Sequence, residues 1–327
     1  MNLSFYLLNF RHCESSFPKL QLKTIIFMND SESFLFPYMK DMIERLWKQG
    51  QHRTSETYST TLNSFRRFRQ GEDVRLSDLD ACLLQAYEYH LRNRSLSPNT
   101  VSFYMKHLRA VYNCAVEDGL IVDQKPFKRV FTSTERTAKR AVSLKCIRRM
   151  KELDFGDNLS RQLARDIFLF SFYTRGMSFV DIAYLQKKNL RGNVLTYRRK
   201  KTGQRLAIHW EPCMQAIVET YGAPSSSPYL LSIIKDLEKN PRKQYQNALF
   251  LINRHLKEIG RILGLQQPLT MYCARHSWAS IAREKGISMS VISEGMGHET
   301  EKTTRIYLSS LEAGLVDKAN RKILKLL

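Results

Sequence analysis

The sequence predicts a mainly α protein of two domains with one small β-hairpin, and three features predict it. Apolar residues recur at helical spacing from Ser33 to about Gly119, and again through most of the chain after Ser143. Between these stretches, residues 123–140 hold a proline, few periodic apolar residues and a strong excess of Lys and Arg, the composition of a linker. Asn193 to His209 instead alternates on either side of a turn, as paired strands do. At the usual ~100–200 residues per domain, 327 residues suffice for about two. The expected division is an upstream extension over 1–27, a helical domain over 28–122, a basic linker over 123–140 and a second domain over 141–327.

Each element has a local cause. Phe34–Trp47 is amphipathic and stops at Gly50, and Ser55–Phe68 stops at Gly71. The third helix is expected to open with Ser77 as N-cap and Asp80 three residues in, and to run to about Asn93. Ser97-Pro98 announces the fourth: the hydroxyl caps free N–H groups, and proline in the first helical position has no N–H to lose. Its stripe is Val101, Tyr104, Met105, Leu108, Val111, Tyr112 and Ala115, and Gly119 ends it. Arg66, Arg67, Arg69, Lys106 and Arg109 fall on exposed faces, as solvated surface or as phosphate contacts. After the linker, a helix starts near Ser143 and an apolar one spans Leu163–Tyr173. The hairpin turns at Lys201-Thr202-Gly203. Helices follow over Cys213–Tyr221, Tyr245–Leu263, Thr270–Lys285 and Ser288–Met296, with a last one from about Val316.

Hydrophobic content of 43% supports real cores and excludes a largely disordered chain. Lys plus Arg number 52 against 31 Asp plus Glu, a net charge of +21. A field of that sign attracts polyanions, so nucleic acid is favoured as partner over a merely basic surface. Cys13, Cys82, Cys114, Cys146, Cys213 and Cys273 are scattered without metal-ligand spacing, as ordinary thiols of a reducing compartment are; no metal is expected. No apolar run approaches the ~18 residues that span a bilayer. The apolar Leu3–Phe10 stretch lacks a basic lead and a small-residue cleavage site, so it is not read as a secretory signal. Either Met1 or Met28 can serve as the start, the second making residues 1–27 an upstream extension, and the protein is expected to work in the cytoplasm at the nucleoid.

Toward the C-terminus, Arg275, His298 and Tyr307 follow one another on short segments. Together they suggest attack of a tyrosine hydroxyl on a DNA phosphodiester. Such a transfer needs charge neutralisation on the non-bridging oxygens, a nucleophile, and a proton for the leaving 5′ oxygen. Arginine suits the first because its planar fork donates two hydrogen bonds and stays charged. The candidates are Arg275 and Arg175, the latter following the apolar run Phe172-Tyr173-Thr174. Arg175 has a structural alternative, an ion pair with Asp181. Lysine suits proton donation, and Lys201 on the hairpin turn is the candidate, although chemistry alone scarcely separates it from Lys200. His298 follows Gly297 at a helix junction, where an imidazole can donate to phosphate. Tyr307, with a phenol pKa of about 10, needs cationic surroundings to act as nucleophile; taken singly it reads more readily as a core aromatic, and the constellation with Arg275 and His298 shifts that reading.

The runs Ala274-Arg275-His276-Ser277-Trp278-Ala279, Met296-Gly297-His298-Glu299 and Thr303-Thr304-Arg305-Ile306-Tyr307 resemble the C-terminal signature of tyrosine recombinases, the phage-integrase family. Arg175 and Lys201 fall where that family places its first arginine and its hairpin lysine. The segments Arg53–Phe65 and Phe172–Asp181 resemble members from Bacteroides-type bacteria in particular. The resemblance runs from about Ser33 to the end. It implies a two-domain DNA clamp, with a helical, SAM-like core-binding domain and a tyrosine-recombinase catalytic domain. Tyr307 would form a 3′-phosphotyrosyl bond, Arg175, Arg275 and His298 would stabilise the pentavalent phosphate, and Lys201 would protonate the leaving oxygen. Neither metal nor nucleotide cofactor is implied. The partners implied are double-stranded DNA and further copies of the chain, as a homo-tetramer on two DNA sites, with no membrane. Val316–Leu327 would dock on a neighbouring copy or on its own domain.

The chain departs from the family pattern twice. Tyr272 stands where the family has histidine, as a candidate phosphate contact that cannot serve as an imidazole base. The first arginine sits in Thr-Arg-Gly-Met where Gly-Leu-Arg is commoner. A site-specific recombinase for integration, excision or inversion is the leading expectation. A non-catalytic DNA-binding derivative and a type IB topoisomerase-like enzyme are the alternatives.

Overall fold

The computed structural model describes residues 33–135, 140–298, 300 and 304. The chain divides into two compact units, Met1–Arg136 and Thr137–Leu327. The expected extension over 1–27, Tyr307 and the last helix lie outside the described residues.

In the first unit, α1 (Leu35–Lys48), α2 (His52–Phe68), α3 (Ala81–Asn93) and α4 (Pro98–Glu117) enclose a core of Leu35, Met39, Phe65, Leu84, Leu91, Met105 and Leu108. Each such fully buried side chain contributes about 1.5–3 kcal/mol. Tyr87 is also fully buried, and its hydroxyl donates to Ser64 Oγ at 2.8 Å, so its polar end is satisfied. Ser97 caps α4 as expected.

Two expectations change here. The cap of α3 is Asp80, whose carboxylate accepts from the Leu83 N–H at 2.7 Å, while Ser77 lies in a separate 3-10 turn, Leu76–Asp78. The 3-10 turn buries Leu76 and delays the helix, so the acidic residue three positions later becomes the cap. In the stretch expected as a basic linker, residues 123–135 dock on their own unit. A 3-10 turn, Pro126–Arg129, buries Pro126 and Phe127. Thr132 accepts from Arg109, Thr134 accepts from Lys106, and the Ser133 carbonyl accepts from the Ser102 hydroxyl. Two of the arginine and lysine side chains expected on an open face of α4 thus hold this strap.

In the second unit, the fully buried middle of α6 (Leu159–Tyr173), with Ile167, Phe168 and Phe170, forms the centre. It packs against α5 (Leu144–Glu152), α8 (Pro212–Tyr221), α9 (Pro241–Ile262) and α10 (Met271–Glu284). Between α6 and α8 come a short α7 (Phe179–Ala183) and an antiparallel sheet of β1 (Leu190–Arg191), β2 (Val194–Arg198) and β3 (Arg205–His209) in that order. β2 pairs with β3 from Val194↔His209 to Arg198↔Arg205, which places the hairpin turn between Arg198 and Arg205. Leu195, Tyr197, Leu206 and Ile208 face the core. α11 (Met289–Met296) ends at Gly297, whose left-handed φ of 62° turns the chain into His298.

Candidate active site

The end of α6 decides which arginine enters the site. Arg175 and Gly176 both adopt positive φ, 59° and 74°, so the chain reverses sharply after Thr174. A left-handed arginine is uncommon, and here the turn brings Gly176 against α10. A Cβ on Gly176 would lie 2.6 Å from Arg275 Cα, so only glycine allows this approach. The Gly176 carbonyl then accepts from Arg275 Nη1 at 2.9 Å.

Arg275 is only 6% exposed, set on α10 among Cys273, Ala274 and Ser277, all buried. Its Nη2 donates to the Met296 carbonyl at 2.6 Å and lies 3.0 Å from His298 Nε2. Guanidinium nitrogens only donate, so Nε2 is the acceptor and the imidazole proton sits on Nδ1, 2.6 Å from Thr304 Oγ1. Burial, then the nearby Arg275, Arg199 and Lys201, push the His298 pKa down to about 4. His298 is therefore neutral near pH 7.

A cavity of about 840 Å³ opens beside these groups. Lys201, Tyr272, Arg275 and His298 line it, joined by Arg140, Ser178, Arg199 and Thr202. Lys200 points elsewhere: its ammonium lies 3.9 Å from the centre of the Tyr184 ring, and its backbone N–H donates to Asp181. The turn geometry thus separates the two lysines that chemistry alone did not. Tyr272 is half exposed and meets His276 edge-on, with ring centres 4.4 Å apart. Burial, with Arg140 and Arg275 nearby, pushes the His276 pKa down to about 4.

Of the residues expected from sequence, Lys201, Tyr272, Arg275 and His298 come together at the cavity. Arg175 does not line it. Its guanidinium reaches the Ala207 carbonyl on β3 at 3.4 Å, and the alternative ion pair is absent too, since Asp181 accepts from Ser178 and Lys200. The residue that sequence reading passed over is Arg199, only 7% exposed and a cavity wall. Strand alternation carried the signal: Leu195, Tyr197 and Arg199 share the inward parity. Arg140, at the end of the expected linker, and Thr304, which orients His298, were also not singled out for those roles.

Among the described residues, no cluster of His, Cys, Asp or Glu could hold a metal ion, and no helix is long and apolar enough to cross a membrane. Cys82, Cys114, Cys146, Cys213 and Cys273 are free thiols.

Comparison with known proteins covers both units. Residues 34–133 match the phage integrase SAM-like domain and residues 154–313 match the phage integrase family. Tyrosine recombinase XerC of Rickettsia canadensis is 23% identical over 276 residues, 80% of this chain and 88% of that protein. Tyrosine recombinase XerD of Pseudomonas putida is 21% identical over 287 residues, 85% and 94% of the two chains. In fold, the chain resembles a lambda integrase dimer bound to a COC′ core site, with a TM-score of 0.62 at 14% identity, covering 84% of this chain and 95% of that one. It also resembles the Tn1549 transposon integrase in complex with transposon right end DNA, with a TM-score of 0.61 at 13% identity, covering 88% and 99%. With both domain models matched in order and relatives aligned over most of their length, this chain belongs to the phage integrase family of tyrosine recombinases.

Proposed function

We propose that the chain is a site-specific DNA recombinase that cuts and rejoins double-stranded DNA through a 3′-phosphotyrosyl intermediate. The observation that carries this is the cavity in which Lys201, Arg275 and His298 converge within a protein of net charge +21. Tyr307 Oη attacks the scissile phosphorus, the bond to the 5′ oxygen breaks, and Lys201 gives that oxygen its proton. Arg275 neutralises charge on the non-bridging oxygens, and its anchoring to Gly176 and Met296 holds the fork ready before DNA arrives. The phenol proton passes to water, and His298, whose Nε2 accepts from Arg275, stabilises the pentavalent phosphate by holding that fork in place. Tyr272 offers its hydroxyl to the phosphate from the cavity wall. The phosphodiester energy stays in the phosphotyrosyl bond, so rejoining requires no nucleotide.

Exchange between two DNA sites requires several copies of the chain. Among proteins of similar fold, a lambda integrase has been seen as a tetramer bound to a Holliday junction. A homo-tetramer acting on two sites, in integration, excision or inversion of a DNA segment within the cytoplasm, is the assembly we infer here.

Covalent capture tests the proposal. Protein and a Tyr307→Phe variant are incubated with fragments of the source genome without metal and denatured, and the linked DNA is sequenced. Adducts from the unaltered protein alone, at a few sites, are expected. Inverted pairs of sites indicate inversion, and element ends indicate integration. A folded, DNA-binding protein that forms no adduct refutes the catalytic reading.

A further inference from the structure

We infer that Arg199, from the β-hairpin, is the second arginine of the active site and contacts the scissile phosphate beside Arg275, in place of Arg175. This rests on the recombinase reading above and departs from the position at which the family places its first arginine.

Placement comes first. Arg199 follows β2 on the inward parity of Leu195 and Tyr197, so the strand delivers its side chain to the cavity instead of to solvent. Arg175 is carried away by the left-handed turn after α6 and reaches the Ala207 carbonyl. Of these two arginines, only Arg199 shares the cavity wall with Lys201, Arg275 and His298.

Anchoring comes second. Arg275 Nη2 donates to the Met296 carbonyl, and Arg199 Nη1 donates to the next carbonyl, that of Gly297. Two buried guanidinium groups are thus pinned to successive carbonyls at the C-terminal end of α11, immediately before His298. The partial negative charge at a helix C-terminus favours cations there, but it does not neutralise two of them. Gly297 is shaped around this arrangement: a Cβ there would lie 2.8 Å from Arg199 Cδ.

Charge comes third. A buried guanidinium ordinarily has a carboxylate partner. Among the described residues no carboxylate forms an ion pair with Arg199, and the nearby Asp181 is already engaged by the Ser178 hydroxyl and the Lys200 N–H. Thr202 Oγ1, on the same turn and the same cavity wall, is buried with no hydrogen-bond partner among the described residues. An anion bearing several acceptor oxygens satisfies both, and a phosphodiester is such an anion. Two non-bridging oxygens then meet two forks, each held from behind by a backbone carbonyl.

The test must separate a phosphate contact from a mere cap on α11. Full-length wild type, Arg199→Ala, Arg199→Lys and Arg175→Ala are compared for covalent adduct formation on a nicked site that traps the intermediate. The scissile position carries either a phosphodiester or an uncharged methylphosphonate. Loss of one preorganised charge donor costs on the order of 100-fold or more in rate. That loss is expected for Arg199→Ala on the phosphodiester. Arg199→Lys should recover part of it, and Arg175→Ala should stay close to wild type. On the methylphosphonate, which has no charge to neutralise, Arg199→Ala should regain most of its deficit relative to wild type. An equal deficit on both substrates overturns the inference and leaves Arg199 a structural cap. Rescue by methylphosphonate seen with Arg175→Ala instead also overturns it. An adduct from wild type with Arg199→Ala unaffected refutes this inference alone, whereas no Tyr307-dependent adduct from wild type refutes the recombinase reading and this inference with it.

Discussion

Replacing Gly176 with alanine tests how closely the cavity arginine, Arg275, is built into the fold. Gly176 has φ of 74°, and an L-residue held in the left-handed region loses about 1–2 kcal/mol. The new Cβ would also lie 2.6 Å from Arg275 Cα and 2.9 Å from both Arg275 Cβ and Cγ. The nearest of these is backbone, so the overlap is relieved only by moving α10 or the turn, which adds about 1–3 kcal/mol. The total is about 2–5 kcal/mol. Gly264→Ala is the control, since Gly264 has an almost equal φ of 73° and nothing within 4 Å of its Cβ position. Both variants carry the left-handed penalty and the same entropy change in the unfolded chain, so their difference, about 2 kcal/mol, isolates the close approach. Urea melts of the full chain followed by tryptophan fluorescence resolve this, because at a slope of about 2 kcal/mol per molar it shifts the midpoint by about 1 M. The Gly176→Ala chain should also lose adduct formation well below its melting midpoint, because the carbonyl that anchors Arg275 moves. Equal midpoints for the two variants would refute the packing argument, and full activity in Gly176→Ala would refute the preorganisation drawn from it.

Three further outcomes are expected. Asp80→Ala should destabilise the first unit by about 1 kcal/mol, while Ser77→Ala should stay within about 0.5 kcal/mol, as compared by the same melts; the reverse order would restore Ser77 as the cap. Lys201→Ala should slow cleavage by on the order of 100-fold and Lys200→Ala far less, and a 5′-bridging sulfur should rescue Lys201→Ala because a thiolate leaves without a proton. Equal losses in the two lysine variants, or no rescue, would remove Lys201 as the acid. The imidazoles of His276 and His298 have pKa values of about 4 against 6.5 for the ordinary side chain, so between these values the unfolded chain binds more protons. Their contribution is complete above about pH 6.5 and is lost as pH falls toward 4; discounted for half-exposed rings, it is on the order of 1 kcal/mol each. Melts from pH 7.5 to 4.5 should therefore fall more steeply for wild type than for a His276→Asn, His298→Asn double variant, and parallel curves would contradict the assignment.

The sequence alone determined most of the described helices, the hairpin, the Ser97 cap and four of the groups that meet at the cavity, Lys201, Tyr272, Arg275 and His298. These follow from apolar spacing, cap chemistry and residue type, all local properties that the chain states directly. Tertiary structure decided the rest. Arg175 follows the apolar run of α6 in sequence, but its left-handed backbone turns it away, and the need for that turn arises only where Gly176 meets α10. Lys200 and Lys201 are chemically alike, and the hairpin turn sends one to the Tyr184 ring and the other to the cavity. The basic stretch after α4 has a linker's composition, yet Phe127 is buried in the first unit and Thr132 and Thr134 meet α4. Arg199 was legible in principle, as a charged residue on the buried parity of a strand. What made it a candidate for catalysis was the carbonyl of Gly297, 98 residues further along the chain, because a contact across that separation depends on how the elements pack and leaves no trace in local periodicity.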